Sequence, residues 1–479
     1  MKNEKIELRL QTADCRLLTL KNMKKFILIL GIILGVLTSV YAQQLPRKGW
    51  LGAKIEMKQD TIVLKSKTSV WEGFKVLKVV GGTAKAILLQ ENDIIVKIDT
   101  NTFKSTLELQ QFITSKMEGD PIKITIIRDG KMKNLIGKMV GKPRETNERF
   151  DVIYECVPFR GGTLSIIINK PKKSGKMPAM LFIPGYTCSS IDGLSENHPY
   201  GRIVRAYADS GYVVLRVEKS GLGDSQNTVD CSLTNLYDEV ANFQAGLDKL
   251  RSLDYVDTNQ IFIFGHSMGG VIAPALGAQN NVRGVIVYGT TAKSFFEYQL
   301  EMNRLQIMLA KPDPFEYEKT CRLQTEIAYE YYILKKDIKE IASTPERIEA
   351  LKRDWEYDGN NKIFGRNQEY WRQIVDFPLL EYWKNCTGKV LVLYGGTDFQ
   401  AFSKADHEQI VYTVNYYHPN QATLIIFPET DHYLAKSGTM QNAFDLFAQG
   451  KTQTLFDLFD FDVITKSIEW SNNVMKNEK

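Results

Sequence analysis

One serine in this chain stands where it could act as a nucleophile. It lies in Ile261-Phe262-Ile263-Phe264-Gly265-His266-Ser267-Met268-Gly269-Gly270, followed by the small-residue run from Val271 to Ala278. A serine hydroxyl is a weak nucleophile until its oxygen is exposed beside a base, and a sharp strand-to-helix turn supplies that exposure. The apolar run before Gly265 and the helix-forming run after it predict such a turn. Glycines two residues either side of Ser267 keep side chains out of the bend. A helix start also aims unpaired backbone N–H groups at negative charge that develops on a substrate. The five letters Gly-x-Ser-x-Gly are weak alone; the strand before and the helix after make them specific. The bland alternative is an ordinary glycine-rich strand–helix turn.

The elements around this turn form a pattern. From about residue 146 to 479, apolar strands alternate with helical stretches, as in a parallel sheet with crossover helices. Strands are expected at Leu164–Ile168, Ala179–Ile183, Tyr212–Val217, Ile261–Phe264, Gly284–Tyr288, Lys389–Tyr394 and Ala422–Phe427. Helices are expected at Asn235–Leu253, Gly269–Ala278, Lys404–Asn415 and Asp460–Val474. Strand order, the elbow around Ser267 and a late Asp and His resemble the α/β-hydrolase superfamily over this whole unit, one insertion apart. The resemblance implies an α/β fold: a mostly parallel sheet with helices on both faces.

It also implies the chain order serine, acid, histidine, each in a loop after a strand's C-terminal end. Of five histidines, His266 sits inside the elbow and His198 lies upstream of the serine. His407 and His418 fall within or at the end of a helix, which leaves His432, just after strand 422–427, as the base. The acid in the matching loop is Asp398. Asp431 competes by adjacency to His432, although a sequence neighbour normally points away from the ring. The implied oxyanion hole consists of the N–H groups of Met268 and Tyr186. Tyr186 stands in Pro184-Gly185-Tyr186-Thr187, where many relatives have His-Gly in place of Pro-Gly. Glu218 to Ser225 resembles the family's Asp-x-x-Gly-x-Gly-x-Ser turn with Glu replacing Asp, and reads as structural. In such a fold the loops bearing Cys188 and Cys231 leave the same side of the sheet, so a disulfide between them beside the site is expected. This machinery needs no metal and no organic cofactor, and neither HExxH, CxxC nor a Walker motif occurs.

Between Tyr288 and Lys389 lie about a hundred residues, far more than the dozen or so that a crossover requires. They are helical in pattern and rich in Phe, Tyr and Trp. In the family such an insertion forms a cap over the serine, here expected at about 293–385. Its rings either line an acyl or side-chain pocket or pack the cap's own core; for any single ring the core is the better expectation. Glu301, Glu326 and Glu330 could instead bind a free amino terminus, as in aminopeptidase relatives. Three functions follow: an esterase, a peptidase or aminopeptidase with the same triad, or a scaffold whose hydrolase unit is inactive.

A smaller unit precedes, at about 46–142, joined through Gly141-Lys142-Pro143-Arg144 as a short linker. The Gly49-Trp50-Leu51-Gly52 loop, the Gly81-Gly82-Thr83-Ala84 turn, Asn92-Asp93-Ile94-Ile95, an amphipathic helix at 106–116 and the Arg128-Asp129-Gly130 turn resemble a PDZ domain of bacterial envelope proteases. The resemblance implies a small mixed α+β domain that adds a peptide C-terminus as an extra strand beside Trp50, Leu51 and Gly52. A packing module without a free ligand is the alternative.

Residues 23–42 read as a signal peptide, with a basic start at Met23-Lys24-Lys25, an apolar run and a Val40-x-Ala42 cleavage point; residues 1–22 precede that start. The run is too short to favour a membrane span, and no lipid-anchor cysteine sits at the cleavage point, so export without a permanent membrane anchor, to the periplasm, is expected. The formal net charge of the whole chain is +5. Residues 1–42 hold seven Lys/Arg and three Asp/Glu, so the remainder carries 54 against 53, a charge of +1. That balance gives no basis for nucleic-acid binding. The partners expected are a small ester or peptide substrate and a peptide end.

Overall fold

The computed structural model describes residues 44–64 and 67–476. The expected leader, its cleavage after Ala42 and the start at Met23 lie outside these residues. From Leu45 onward the chain forms one compact unit.

The PDZ region is a five-stranded antiparallel sheet in the order β1-β2-β3-β4-β5. Its strands are β1 (Ala53–Leu64), β2 (Lys67–Val79), β3 (Ile94–Ile98), β4 (Pro121–Arg128) and β5 (Lys131–Lys138). Alternation along β4 sends Ile122, Ile124 and Ile126 inward, where they meet Phe74, Val76, Leu109 and Ile113. Leu109 and Ile113, four apart, share one face of the helix Thr106–Ser115, whose first turn is capped by the Ser105 side chain accepting from Glu108 N–H. β1 is one of the two edge strands and pairs only with β2, with the helix packed beside it.

The larger region is built on an eight-stranded sheet. Its strands are β6 (Phe150–Phe159), β7 (Gly162–Pro171), β8 (Met177–Ile183), β9 (Val213–Val217), β10 (Val256–His266) and β11 (Gly284–Tyr288), then β14 (Lys389–Gly395) and β15 (Ala422–Phe427). Between β11 and β14 comes a short hairpin of β12 (Lys362–Ile363) and β13 (Arg366–Asn367). The sheet order is β15-β14-β11-β10-β8-β9-β7-β6. Only the pairs β6–β7 and β7–β9 are antiparallel. Successive residues of a strand enter different cores: Ile261 and Ile263 belong to one, Phe262 and Phe264 to the other. Both faces are covered by helices, which is why the central strands read as unbroken apolar runs. This is the α/β-hydrolase fold. Its first edge strand, β6, and the helix Pro199–Asp209 add to the elements expected from sequence.

The insertion after β11 is a helical cap containing Phe295–Leu309, Pro314–Ala328, Pro345–Asp354, Gln368–Val375 and Leu379–Asn385. Most of its rings pack together: Tyr331, Tyr332, Trp355, Tyr370, Trp371 and Trp383 are all buried. Among the described residues no helix is long and apolar enough to cross a membrane.

Candidate active site

Ser267 follows the last residue of β10 and sits at φ 56, the left-handed conformation that an abrupt strand-to-helix reversal requires. The turn is pinned by Ser267 N–H donating to the Tyr288 carbonyl at 2.9 Å, and by Gly270 N–H donating to the Ser267 carbonyl at 2.8 Å. Both motif glycines have a steric reason. A side-chain carbon on Gly265 would collide with the Gly269 carbonyl, and one on Gly269 with the carbonyl of Ile183 on β8. The helix Gly269–Gln279 then runs away from the serine, almost entirely buried.

His432 follows β15 and Asp398 follows β14; His432 Nδ1 and Asp398 Oδ2 are 2.8 Å apart. Asp398 is fully buried, and its other oxygen accepts from Gln400 N–H at 2.8 Å and Ala401 N–H at 2.7 Å. Burial pushes its pKa up, but the charge and hydrogen bond of His432 and the two backbone donors outweigh that and hold it below the ordinary value. The carboxylate therefore stays an acceptor, and His432 carries its ring proton on Nδ1. Gly289, at φ 60, gives this pair room: a side-chain carbon there would lie 3.0 Å from Asp398 Oδ2 and 3.1 Å from His432 Nδ1. No hydrogen bond joins Ser267 to His432 in this conformation. Asp431 is turned away from the ring: its Oδ1 accepts from Tyr433 and Ala435 N–H and shapes the loop. Burial pushes the Asp431 carboxyl up to about 7.

The loop after β8 passes close to the serine; a side-chain carbon on Gly185 would be 3.6 Å from Ser267 Oγ. Among the described residues, neither Tyr186 N–H nor Met268 N–H is taken by another backbone carbonyl. Cys188 on this loop is joined by a disulfide to Cys231, with their Cα atoms 5.7 Å apart. Cys156, Cys321 and Cys386 are buried thiols. The Tyr186 ring meets Trp371 of the cap edge-on at 5.3 Å, and Trp371 meets Phe295 at 5.3 Å, so these few cap rings reach the site. Three acidic cap residues are engaged by cations: Glu301 with Lys293 at 2.6 Å, and Glu326 and Glu330 with Arg347 at 3.4 and 3.0 Å.

His266 is a neighbour that sequence reasoning set aside. Its Nε2 lies 2.9 Å from the carbonyl of His432, so it donates there, and Nδ1 must then accept from Tyr200 Oη at 2.8 Å. Tyr200 Oη in turn accepts from Gly185 N–H at 3.2 Å. One hydrogen-bonded chain thus runs from the loop after β8 through the elbow to the loop of His432. Burial, with the nearby His432 charge, pushes the His266 pKa down to about 3. The only signal for this in sequence was the position of His266 inside the elbow.

In the PDZ region, Leu51 is part of the core, and the Trp50 ring covers the Gly81-Gly82 turn. The carbonyls of Trp50, Leu51 and Gly52 accept from the 80–84 turn, while the N–H groups of Leu51 and Gly52 are not taken by backbone carbonyls among the described residues. No group of three or more His, Cys, Asp or Glu that could hold a metal occurs among the described residues.

Comparison with known proteins gives two family matches. Residues 49–136 match a PDZ-domain model, and residues 193–435 match the model described as serine aminopeptidase, S33. The chain is 21% identical over 322 residues to Esterase EstD of Thermotoga maritima, covering 65% of this chain and 68% of that protein. Similar solved structures include Est1E from Butyrivibrio proteoclasticus with ferulic acid bound (18% identity, 64% of this chain and 98% of that one, TM-score 0.39). Another is the Pyrococcus horikoshii acylaminoacyl peptidase (13% identity, 72% and 57%, TM-score 0.41). The hydrolase match spans 243 of 479 residues, just over half. The chain therefore belongs to the serine aminopeptidase S33 family, and it is a serine hydrolase of the α/β-hydrolase fold with a PDZ domain ahead of the hydrolase unit.

Proposed function

We propose that this hydrolase is exported and cleaves carboxylic esters through an acyl-enzyme, with Ser267 as nucleophile, His432 as base and Asp398 as the acid that orients it. The observation that carries the reading is the 2.8 Å His432–Asp398 hydrogen bond beside a serine held in a left-handed elbow. An ionised Asp398 keeps the proton on Nδ1 and leaves the Nε2 lone pair to take the Ser267 proton as Oγ attacks the acyl carbon. The Ser267–His432 hydrogen bond closes in the substrate complex. Charge on the former carbonyl oxygen meets the N–H groups of Met268 and Tyr186. The imidazolium then protonates the departing alkoxide, and water, deprotonated by the same ring, attacks the acyl-serine and releases the acid.

Similarity to an esterase supports the ester. The family description favours a peptidase on the same triad. Glu301, Glu326 and Glu330 already have cations, so a free amino terminus would have to meet another cap carboxylate, such as Glu356, whose charge reaches Tyr186. The Leu51 and Gly52 N–H groups, at the head of the edge strand β1, would take a peptide C-terminus.

Mature protein and its Ser267→Ala variant, assayed on acyl esters of graded length and on aminoacyl amides, test this. Ester turnover that falls at least ~10³-fold in the variant supports the proposal. Faster amide turnover supports the peptidase. No turnover and no labelling by a serine-directed phosphonate would leave the scaffold.

A further inference from the structure

Lys219 follows β9 and Glu218, and its Nζ donates to the Gly185 carbonyl at 2.6 Å. Arg366, on β13 in the cap and 180 residues away in sequence, donates from Nη1 to the next carbonyl, Tyr186 O, at 2.7 Å. Both cations share one carboxylate: Lys219 Nζ lies 2.9 Å from Glu239 Oε1, and Arg366 Nη2 bonds Glu239 Oε2. All three are almost fully buried, with exposures of 3%, 0% and 1%. Arg366 is also stacked over the Tyr370 ring at 4.1 Å.

The Gly185 carbonyl and the Tyr186 N–H belong to the same peptide unit. No cis peptide occurs among the described residues, so in this planar trans unit the two groups point in opposite directions. A cation gripping the oxygen from behind therefore fixes the direction of the N–H in front. It also draws electron density from the peptide, which makes that N–H a stronger donor in a water-poor site. Two cations against one carboxylate leave a net positive charge behind the loop, oriented before any substrate arrives.

We propose that Lys219 and Arg366 are positioning residues for hydrolysis: Lys219, through the Gly185 carbonyl, aims and polarises the oxyanion-hole peptide, and Arg366, through the Tyr186 carbonyl, fixes the peptide that follows it, with Glu239 holding both cations in place. The proposal rests on the reading of Tyr186 N–H as an oxyanion donor. It gives the cap a second role, since Arg366 fastens it to the catalytic loop. Burial pushes the Lys219 pKa down to about 8 against the pull of Glu239, so the ammonium persists at neutral pH.

The test compares full-length wild type with Lys219→Met and Arg366→Gln, counting turnover per serine titrated with a phosphonate. A poorly folded preparation then still reports the behaviour of its folded fraction. Loss of a direct oxyanion donor costs ~10²–10³-fold in kcat, so loss of its support should cost roughly 10–100-fold, with KM changed less than about threefold. Affinity for a boronic acid, which mimics the tetrahedral oxyanion, should fall in step with kcat, while affinity for a planar product acid stays within about threefold. A purely structural role would lower the titratable fraction and the melting temperature but leave per-site kcat and the boronate-to-product ratio unchanged; that result overturns the proposal. The two failures are separable. Turnover that survives Ser267→Ala sinks the serine mechanism itself, whereas Ser267-dependent turnover indifferent to Lys219 and Arg366 sinks only their positioning role.

Discussion

Gly289 shows how tightly the proposed acid–base pair is enclosed. A methyl group there would take on a strained φ of 60 and push Asp398 and His432 back by a few tenths of an ångström from contacts of 3.0 and 3.1 Å. Gly289→Ala should reduce kcat by about 3–10-fold with little change in KM, because a full ångström of misplacement costs ~10²-fold and ground-state binding is untouched. Steady-state kinetics on one ester decides it; wild-type kcat would contradict it. His266 carries a pH signature. Its folded pKa, about 3, lies below the ordinary 6.5 because burial penalises the charged ring and the neighbouring His432 adds to that penalty. As pH falls through 6.5 the unfolded chain binds a proton that the folded chain refuses, so stability declines by up to about 1.4 kcal/mol per pH unit. His266→Gln removes that dependence: the drop in urea-unfolding free energy between pH 7 and pH 5 should shrink by about 2 kcal/mol. The positions of Ser267, Asp398 and His432, the triad proposed here, could be read from sequence because each follows its own apolar strand. Lys219, Arg366 and Tyr200 were not, since their roles depend on contacts with a loop far away in the chain.

At the scale of elements, the central strands were legible because burial on both faces leaves nothing but apolar residues. β6 was not. It is an antiparallel edge strand with Asp151, Glu155 and Pro158 in it, and it is only partly buried. The helix Pro199–Asp209 hid for another reason: its N-cap is His198, whose Nδ1 accepts from Tyr200 N–H, and histidine is not a capping signal. The aromatic richness of the cap was visible, but which rings face the serine was not, because both sets obey the same helical spacing. The Cys188–Cys231 bridge ties the loops after β8 and β9 across 43 residues. Closing a loop of that length in the unfolded chain is worth about 4 kcal/mol in the chain-entropy account. A Cys188→Ala, Cys231→Ala double variant should lose roughly 2–5 kcal/mol, and wild type in reductant should unfold at the same urea concentration as the variant. A reductant-insensitive wild type would show that the bridge contributes nothing.

For the whole molecule, the junction between the PDZ and hydrolase regions is anchored by charge. Arg47, 3% exposed, pairs with Asp192 at 2.7 Å and Asp224 at 2.6 Å, and donates to the Lys142 carbonyl at 2.8 Å. Lys48 N–H donates to Asp224, and Glu145 grips Arg216 and Gly193 N–H. Asp192 and Asp224 lie on the two loops that the disulfide joins, so the PDZ region rests on the segments nearest the serine. Sequence showed only a short Gly-Lys-Pro-Arg connection, because these pairings span from 48 to 177 residues. Arg47→Met should cost about 3–5 kcal/mol, since it leaves two buried carboxylates unpaired. Denaturant unfolding of the full chain measures it, and a loss below about 1 kcal/mol would show that water reaches the carboxylates. Finally, the upright serine sets stability against turnover at one position. A side chain in the left-handed region costs roughly 1–2 kcal/mol, and glycine escapes that cost at the expense of about 0.4–1 kcal/mol of extra freedom when unfolded. Ser267→Gly should therefore outlast Ser267→Ala in urea by up to about 1.6 kcal/mol, the stability this fold gives up to hold the proposed nucleophile exposed.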